Sequence, residues 1–224
     1  MFQNTFVFMQ TNPSYYLDNS YGEFFIRAFA ELGIDLDYLP NVLIESDLEC
    51  KNYCYLILEG TVKQFFTDQD GKQYTVLLLS RGDIFGEINM LQNNIDLVLS
   101  ESLTQCKVKR IQKVEFDQAL RAQPDLMMAF IKMQTSKSRM FLFQIQDLSY
   151  LDVKNRLKNL LIRLGILYGA PQKEQTKINL LISHEELAKM IGSTRSTVTK
   201  MLSELSDSGF LEMRQKFIYL NNRK

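Results

Sequence analysis

The sequence predicts an α+β protein in which an antiparallel β barrel or sandwich precedes a long helix and a C-terminal helix-turn-helix with a small wing. From about Val42 to Gln112, short runs of β-branched, aromatic and aliphatic residues alternate with turn residues. After Lys113 the apolar spacing changes to the three or four residues typical of helices. Near the C-terminus a capped helix, a glycine turn, a second helix and a hairpin follow one another.

The composition is typical of a globular protein. The chain has 224 residues, which allows one large domain or two small ones, and it is 46% hydrophobic, which argues against wholesale disorder. Its apolar runs are far shorter than the ~20 residues of a membrane-spanning helix. The first basic residue is Arg27, so we expect neither a secretory signal nor a transit peptide, and no membrane partner.

The few cysteines and the single histidine argue against metal or haem chemistry. Cys50, Cys54 and Cys106 cannot all pair and contain no CxxC spacing, so we expect a reducing intracellular compartment, no metal and no cofactor. Cys54 and Cys106 are predicted to be small core residues. His184 is predicted to be solvated or close to a phosphate.

The net charge of zero conceals an asymmetry between the two parts of the chain. Residues 152–224 carry a net charge of +6, and residues 1–151 carry −6. A basic C-terminal third in a neutral protein favours contact of that third with a polyanion.

In the N-terminal part, residues 22–33 predict a short helix that ends at Gly33. Asp70-Gly71 is a hairpin signal between two of the strands that follow. The predicted strands are Tyr53–Leu58, Thr61–Thr67, Tyr74–Leu79 and Lys107–Ile111.

Two helices are predicted next, over Lys113–Arg121 and from Pro124 to Tyr150, with proline tolerated in the first turn. The long helix carries a stripe at three-to-four-residue spacing. Such a stripe favours self-association into a homodimer, and the alternative is packing on the chain's own β domain. The stripe consists of Leu126, Phe130, Met133, Lys137, Met140/Phe141, Gln144 and Leu148.

The C-terminal region predicts a winged helix-turn-helix at about residues 183–202. An amphipathic helix over Leu151–Tyr168 and a polar connector over 172–179 precede it. Ser183 and Glu186 have the spacing of a capping box, and Gly192-Ser193 forms the turn. A second helix over Thr194–Leu205 and a hairpin of Leu211–Met213 with Phe217–Leu220 complete the motif.

The second helix carries polar and basic side chains opposite its apolar face, which predicts binding in the major groove of double-stranded DNA. An arginine near the start of such a helix suits guanine O6 and N7. The predicted DNA-binding residues are Ser183, Thr194, Arg195, Ser196, Thr197, Thr199 and Lys200.

A second motif is the segment Gly82–Glu87, in which two glycines lie four residues apart after a strand. This spacing lets the backbone approach a ligand and present N–H donors to an anion. A simple turn pair of the barrel is the alternative.

The chain resembles the cyclic-AMP-receptor/FNR family of transcription regulators over about residues 42–220. The resemblance is carried by YLILEGTVKQFF and GKQYTVLLLSRGDIFGE in the barrel, and by ISHEELAKMIGSTRSTVTKMLSEL near the C-terminus. It is greatest to the nitrogen-regulating members found in cyanobacteria. It implies a sensory double-stranded β-roll with an N-terminal helix over 1–122, a dimerisation helix over 123–150, a DNA-binding domain over 151–224, a palindromic site and contact with RNA polymerase.

The resemblance also implies an effector site formed by the loop residues Phe85, Gly86, Glu87 and Ile88, with Lys137 and Arg139 of the long helix. Cyclic-AMP binders have an arginine–serine pair after this loop, but the stretch Asn93–Ser100 contains no arginine, so cyclic AMP is not expected. Nitrogen regulators bind 2-oxoglutarate, yet the barrel arginine is absent and Glu87 adds a negative charge. The effector is therefore 2-oxoglutarate, another small molecule, or none.

The favoured function is control of nitrogen-related genes, and the alternative is a redox-sensing or other ligand-sensing regulator on the same scaffold. No nucleophile–base set indicates an enzyme. Phe, Tyr, Ile, Asn and Lys, which have AT-rich codons, total 70 residues against 31 for Gly, Ala, Arg and Pro. This bias favours an AT-rich genome, and with the cyanobacterial resemblance it favours a chloroplast stroma location for a plastid-encoded protein over a bacterial cytoplasm.

Overall fold

The computed structural model describes residues 20–45, 50–92 and 98–222. It contains two compact units, and the boundary between them lies at Thr135/Ser136 inside the long helix. The helices are α1 (Gly22–Ala28), α2 (Glu87–Gln92), α3 (Lys113–Ala122), α4 (Pro124–Tyr150), α5 (Val153–Leu167), α6 (His184–Ile191) and α7 (Arg195–Asp207). The strands are β1 (Ile34–Tyr38), β2 (Tyr53–Glu59), β3 (Val62–Thr67), β4 (Gln73–Leu79), β5 (Ile84–Phe85), β6 (Leu99–Ser102), β7 (Cys106–Gln112), β8 (Gly169–Gln172), β9 (Gln175–Ile178), β10 (Leu211–Arg214) and β11 (Phe217–Asn221).

The first unit is built on two antiparallel sheets, with strand orders β1-β7-β2-β5 and β4-β3-β6. The hairpin between β3 and β4 is confirmed: the Lys72 amide donates to the Asp68 side chain at 2.8 Å, and Gly71 has a φ of 79°. The predicted helix over 22–33 is shorter than expected, because the chain leaves the helix at Phe29 and turns at Gly33 with a φ of 62°. An added Cβ at Gly33 would lie 2.1 Å from the Arg110 carbonyl oxygen, so β7 leaves room only for glycine.

Strand β1, which the sequence pattern did not predict, pairs with β7 through residues 34–38. Two lysines of β7 bind the Asp35 carboxylate: Lys109 at 2.8 Å and Lys107 at 3.3 Å. Their hydrogen bonds, with Lys109 as the larger influence, hold the pKa of Asp35 below its usual range.

The core of this unit is aromatic and includes the start of the long helix. The Phe116 ring stacks on Phe29 at 5.6 Å and meets Phe130 edge-on at 5.2 Å. Leu126, Phe130 and Met133 of α4 belong to the same buried cluster. These three residues pack within their own unit, as the alternative interpretation of the stripe predicts, and the dimer contact along the helix stays a prediction.

A different face of α4 exposes apolar side chains. Met128, Ile131, Leu142 and Ile145 are each about half exposed or more. At 100° per residue these positions fall within about 100° around the helix axis. We call these four residues the exposed apolar face of α4.

The second unit contains a helical layer of α5, α6 and α7 and a four-stranded sheet in the order β10-β11-β9-β8. The segment 172–179, predicted to be a connector, is instead largely strand, because β9 pairs with β11 from Gln175 to Lys177. The apolar residues of the helix-turn-helix are buried as predicted, including Leu187, Ile191, Val198, Leu202 and Leu205. In the described residues, no helix has the length and apolar character needed to span a membrane.

Candidate DNA-binding surface and effector loop

Helix α6 begins at a side-chain cap. The Ser183 hydroxyl accepts a hydrogen bond from the Glu186 amide at 3.1 Å, which satisfies one of the free N–H groups of the first turn. The Lys189 ammonium forms an ion pair with the Glu186 carboxylate at 3.2 Å. The helix ends at Gly192, whose φ of 61° and ψ of 52° are left-handed, and this conformation makes the turn.

Helix α7 starts two residues after that turn and presents its N-terminus to solvent. The Thr194 hydroxyl accepts from the Thr197 amide at 3.2 Å and forms a hydrogen bond with the Thr197 hydroxyl at 2.8 Å. Arg195 is the first helical residue. It is exposed together with Ser196, while Thr197 is half-buried. The cap therefore fixes the orientation of the first turn, which leaves the arginine fork free to reach a base edge.

The second turn of α7 is tied to the start of α6. The His184 Nδ1 atom lies within hydrogen-bond distance, 2.8 Å, of the Thr199 hydroxyl. The same hydroxyl lies 2.9 Å from the Arg195 carbonyl, to which it donates. Thr199 and Lys200 are exposed. His184, predicted to be solvated or near phosphate, thus holds the two helices in register at the surface.

Helix α5 supports both helices of the motif. The Arg156 guanidinium donates to the Ile191 carbonyl at 3.0 Å and to the Leu151 carbonyl at 2.9 Å. Lys154 binds Glu204 of α7 at 2.8 Å. The Lys154 hydrogen bond lowers the pKa of Glu204, with a further electrostatic contribution from Lys200. These contacts fix the angle at which α7 is presented.

Each predicted DNA-binding residue lies on α7 or at the N-cap of α6 or α7. Ser183, Thr194, Arg195, Ser196, Thr199 and Lys200 are exposed, and Thr197 is the more buried exception. The arrangement offers a guanidinium, an ammonium and several hydroxyls along about two helical turns, in a segment with a net charge of +6 over residues 152–224. Such a surface matches the phosphates and base edges of a DNA major groove.

The predicted effector loop lies in the first unit and is mostly buried. Phe85 stacks on Tyr55 with 5.0 Å between ring centroids, so its ring is part of the core. Gly86 has a φ of 82°, and Glu87 is 2% exposed. Ile88 is half-buried. The loop's side chains are therefore packed into the protein, apart from part of Ile88.

A polar cluster that sequence reasoning missed lies against this loop. The carboxylate of Glu45 accepts hydrogen bonds from the Ser100 hydroxyl and from the Asn89 amide group, the latter at 3.0 Å. Gln64 donates to the Ser100 hydroxyl at 3.3 Å. We call Glu45, Gln64, Gly86, Asn89 and Ser100 the Glu45 cluster. Ser100 is the last residue of the stretch Asn93–Ser100, which lacks the arginine of cyclic-AMP binders. No sequence motif indicated a role for Glu45.

The remaining predicted effector residues belong to the second unit. Lys137 is 2% exposed, and the Arg139 guanidinium donates to the Ser136 hydroxyl at 3.3 Å. Their role in effector binding stays a prediction. Of the stretch Asn93–Ser100, residues 93–97 lie outside the described residues.

The two cysteines predicted to be core residues are buried. Cys54 is 0% exposed and Cys106 is 1% exposed. Burial raises the pKa of the Cys106 thiol, although hydrogen bonds with Thr104 and the Thr61 carbonyl oppose the shift. A buried thiol with a raised pKa is poorly reactive.

Family comparisons match both units of the chain. Residues 41–123 match a cyclic nucleotide-binding domain, and residues 155–224 match a Crp-like helix-turn-helix domain. A global nitrogen regulator of Synechococcus elongatus is 30% identical over 171 residues, which cover 75% of this chain and 77% of the relative. A global nitrogen regulator of Synechocystis is 28% identical over 170 residues, which cover 75% of this chain and 76% of the relative.

Solved structures show the same fold. The c-di-GMP responsive global regulator CLP of Xanthomonas campestris superposes with a TM-score of 0.75 at 20% identity, covering 89% of this chain and 99% of that one. CooA of Carboxydothermus hydrogenoformans gives a TM-score of 0.72 at 21% identity, covering 84% and 83%. The two family-model matches and the nitrogen regulator that is 30% identical establish that the chain belongs to the cyclic-AMP-receptor/FNR family of DNA-binding transcription regulators.

Proposed function

We propose that the protein is a homodimeric regulator of nitrogen-related genes that binds palindromic DNA through two copies of α7. The observation that carries this proposal is the capped, exposed N-terminal turn of α7, where Arg195 and its neighbouring hydroxyls face solvent in a basic unit. The nitrogen role rests on the similarity to proteins named global nitrogen regulator. RNA polymerase is the partner through which such a regulator acts.

The exposed apolar face of α4 supports the homodimer. Monomeric proteins seldom leave a long apolar stripe exposed to water. On the same side of the helix lie Thr135 and Ser138, which are small and exposed and let a second helix approach closely. Two copies of α4 packed along this face would bury the stripe and relate the two recognition helices by a two-fold axis.

The effector loop belongs to the same proposal. Cyclic AMP is not the effector, since residues 93–100 contain no arginine to neutralise its phosphate. The redox alternative gains no support from Cys54 and Cys106, whose thiols are buried. The excess of residues that have AT-rich codons and the cyanobacterial relatives favour a plastid-encoded protein in the chloroplast stroma.

The stoichiometry of the DNA complex tests the proposal. The probe is a family-type palindrome, GTA and TAC separated by eight base pairs, and the control duplex keeps only one half-site. Sedimentation at micromolar protein should give two chains on the palindrome and much weaker binding to the control. One chain bound with equal affinity to each duplex would contradict the proposal.

A further inference from the structure

The Glu45 cluster places a carboxylate of the chain where the sequence predicts the anion of an effector. Glu45 is 4% exposed, and burial of a charged carboxylate is costly unless donors satisfy it. Two side-chain donors from different elements do so: Ser100 of β6 and Asn89 of α2. Both are themselves buried, with exposures of 0% and 3%. The Ser100 hydroxyl and the Asn89 amide thus form a buried carboxylate-binding site, and the Glu45 side chain occupies it.

The backbone of the effector loop lies close to this site. A Cβ added at Gly86 would lie 3.3 Å from Glu45 Oε1 and 3.0 Å from Tyr55 Cδ2. The carboxylate therefore packs directly against the Gly86 backbone. Any side chain at position 86 would press against the carboxylate. Glycine therefore allows the close approach of Glu45 and also adopts the positive φ.

An external anion would compete with Glu45 for the same groups. The hydroxyl of Ser100 and the amide of Asn89 are the kinds of donor that a ligand carboxylate or phosphate requires, and the Glu45 oxygens already hold them. Entry of an anion would therefore require Glu45 to leave.

We propose that the Glu45 side chain is a built-in occupant of the β-roll's anion site, which excludes carboxylate and phosphate effectors from the loop Phe85–Ile88. This inference deepens the proposed function and rests on it only for the identity of the loop. The protein then binds DNA without an anionic effector, and removal of the Glu45 side chain beyond its Cβ opens the site to one.

The test compares anion binding by the full-length wild type, Glu45→Ala and Glu45→Gln in the absence of DNA. The probes are acetate, as the smallest carboxylate that imitates the missing group, and 2-oxoglutarate, with chloride of equal ionic strength as the control. Titration calorimetry and the thermal midpoint report binding, because a ligand that binds only the folded state raises the midpoint. Glu45→Ser, which keeps a polar group in the buried site, replaces the alanine variant if that variant does not fold.

The alanine variant should bind 2-oxoglutarate at least about tenfold more tightly than the wild type, since the Ser100 and Asn89 donors lose the carboxylate that they bind and can accept another. Acetate should raise its thermal midpoint, and neither probe should affect the wild type. The glutamine variant fills the same volume and should behave as the wild type does. Binding of 2-oxoglutarate by the wild type, or no gain in the alanine or serine variant, would overturn the proposal. DNA binding is measured separately, so failure of the wild type on DNA contradicts only the proposed function.

Discussion

Arg195 and Lys200 lie five residues apart on one exposed helix, and we predict that they contribute to DNA binding in different ways. Arg195 is the first residue of α7, where side chains of a recognition helix point toward base edges. Lys200 lies about 7.5 Å further along the helix axis at the standard rise. Its ammonium is a point charge suited to a phosphate, whereas the guanidinium fork suits guanine. Arg195→Ala should therefore reduce specificity, and Lys200→Ala should reduce affinity for all sequences.

The expected magnitudes follow from two copies of each residue on a palindrome. Loss of a bidentate base contact costs about 1–3 kcal/mol of discrimination, or about 2–6 kcal/mol for two half-sites. Loss of two phosphate contacts should lower the slope of log K against log salt by about 1.8. Between about 50 and 200 mM salt, the wild type should thus lose about tenfold more affinity than Lys200→Ala.

Fluorescence anisotropy over a salt series separates the two roles. The wild type and both variants are titrated onto the palindrome and onto duplexes with one base changed in each half-site. Arg195→Lys is the matched control, because it retains the charge and loses the fork. It should keep the salt slope and lose the preference for the intact site. If Arg195→Ala kept the full specificity ratio and lost only overall affinity, the assignment of base contact to Arg195 would be wrong.

Three further predictions concern assembly and stability. Leu142→Glu should convert the proposed dimer into a monomer in sedimentation, because it puts a charge on the exposed apolar face of α4. The control Leu181→Glu changes an exposed leucine elsewhere and should leave the dimer intact. A Leu142→Glu variant that remained dimeric would contradict a dimer contact through this face. Asp147→Ala should lower the free energy of unfolding in urea by about 3 kcal/mol, because Asp147 binds the nearly buried Arg163 at 2.9 Å and its removal leaves that guanidinium without its carboxylate. A decrease of less than about 1 kcal/mol would refute this prediction. Asp35→Asn should cost a few tenths of a kcal/mol at neutral pH because the pair is partly exposed. The pKa of Asp35 is lowered in the folded state, so the stabilisation is complete above the ordinary pKa of 3.8 and is lost as pH falls through the lowered pKa of the folded state. If the wild type and Asp35→Asn still differed in free energy of unfolding in stronger acid, the ion pair would not be the source of the stabilisation.

The elements of the helix-turn-helix were predictable because several local signals coincide there. Ser183 and Thr194 are side-chain caps, Gly192 adopts the left-handed conformation, and the apolar positions follow the helical period. Each of these features depends on neighbours within a few residues. Prediction of this motif therefore needed no knowledge of long-range packing.

The elements that were missed depend on partners distant in the chain. Strand β9 reads Gln-Thr-Lys-Ile and has little apolar character, but its pairing with β11 makes it a strand. Periodicity correctly grouped Leu126, Phe130 and Met133 on one side of α4, yet it could not tell which surface covers that side. The core of the chain's own β unit covers it. The pattern alone therefore could not decide between packing on the chain's own unit and a dimer contact.

The predicted effector loop shows the same limit. The glycines of the loop were visible in the sequence, and Gly86 does have a positive φ that a close approach requires. Glu45 lies about 40 residues earlier in the chain, in a segment with no motif, and reaches the loop only through the fold. Sequence reasoning could identify the missing arginine but not the carboxylate that lies beside the loop.

In the proposed complex, two α7 helices related by a two-fold axis contact two half-sites on one side of the DNA. The most direct test inserts five base pairs, about half a helical turn, between the half-sites of the palindrome and measures affinity by competition against shuffled DNA. We expect a preference of about a thousandfold or more for the original spacing over shuffled DNA, and loss of most of that preference after the insertion. Equal affinity for the original, the lengthened and the shuffled duplexes would contradict it.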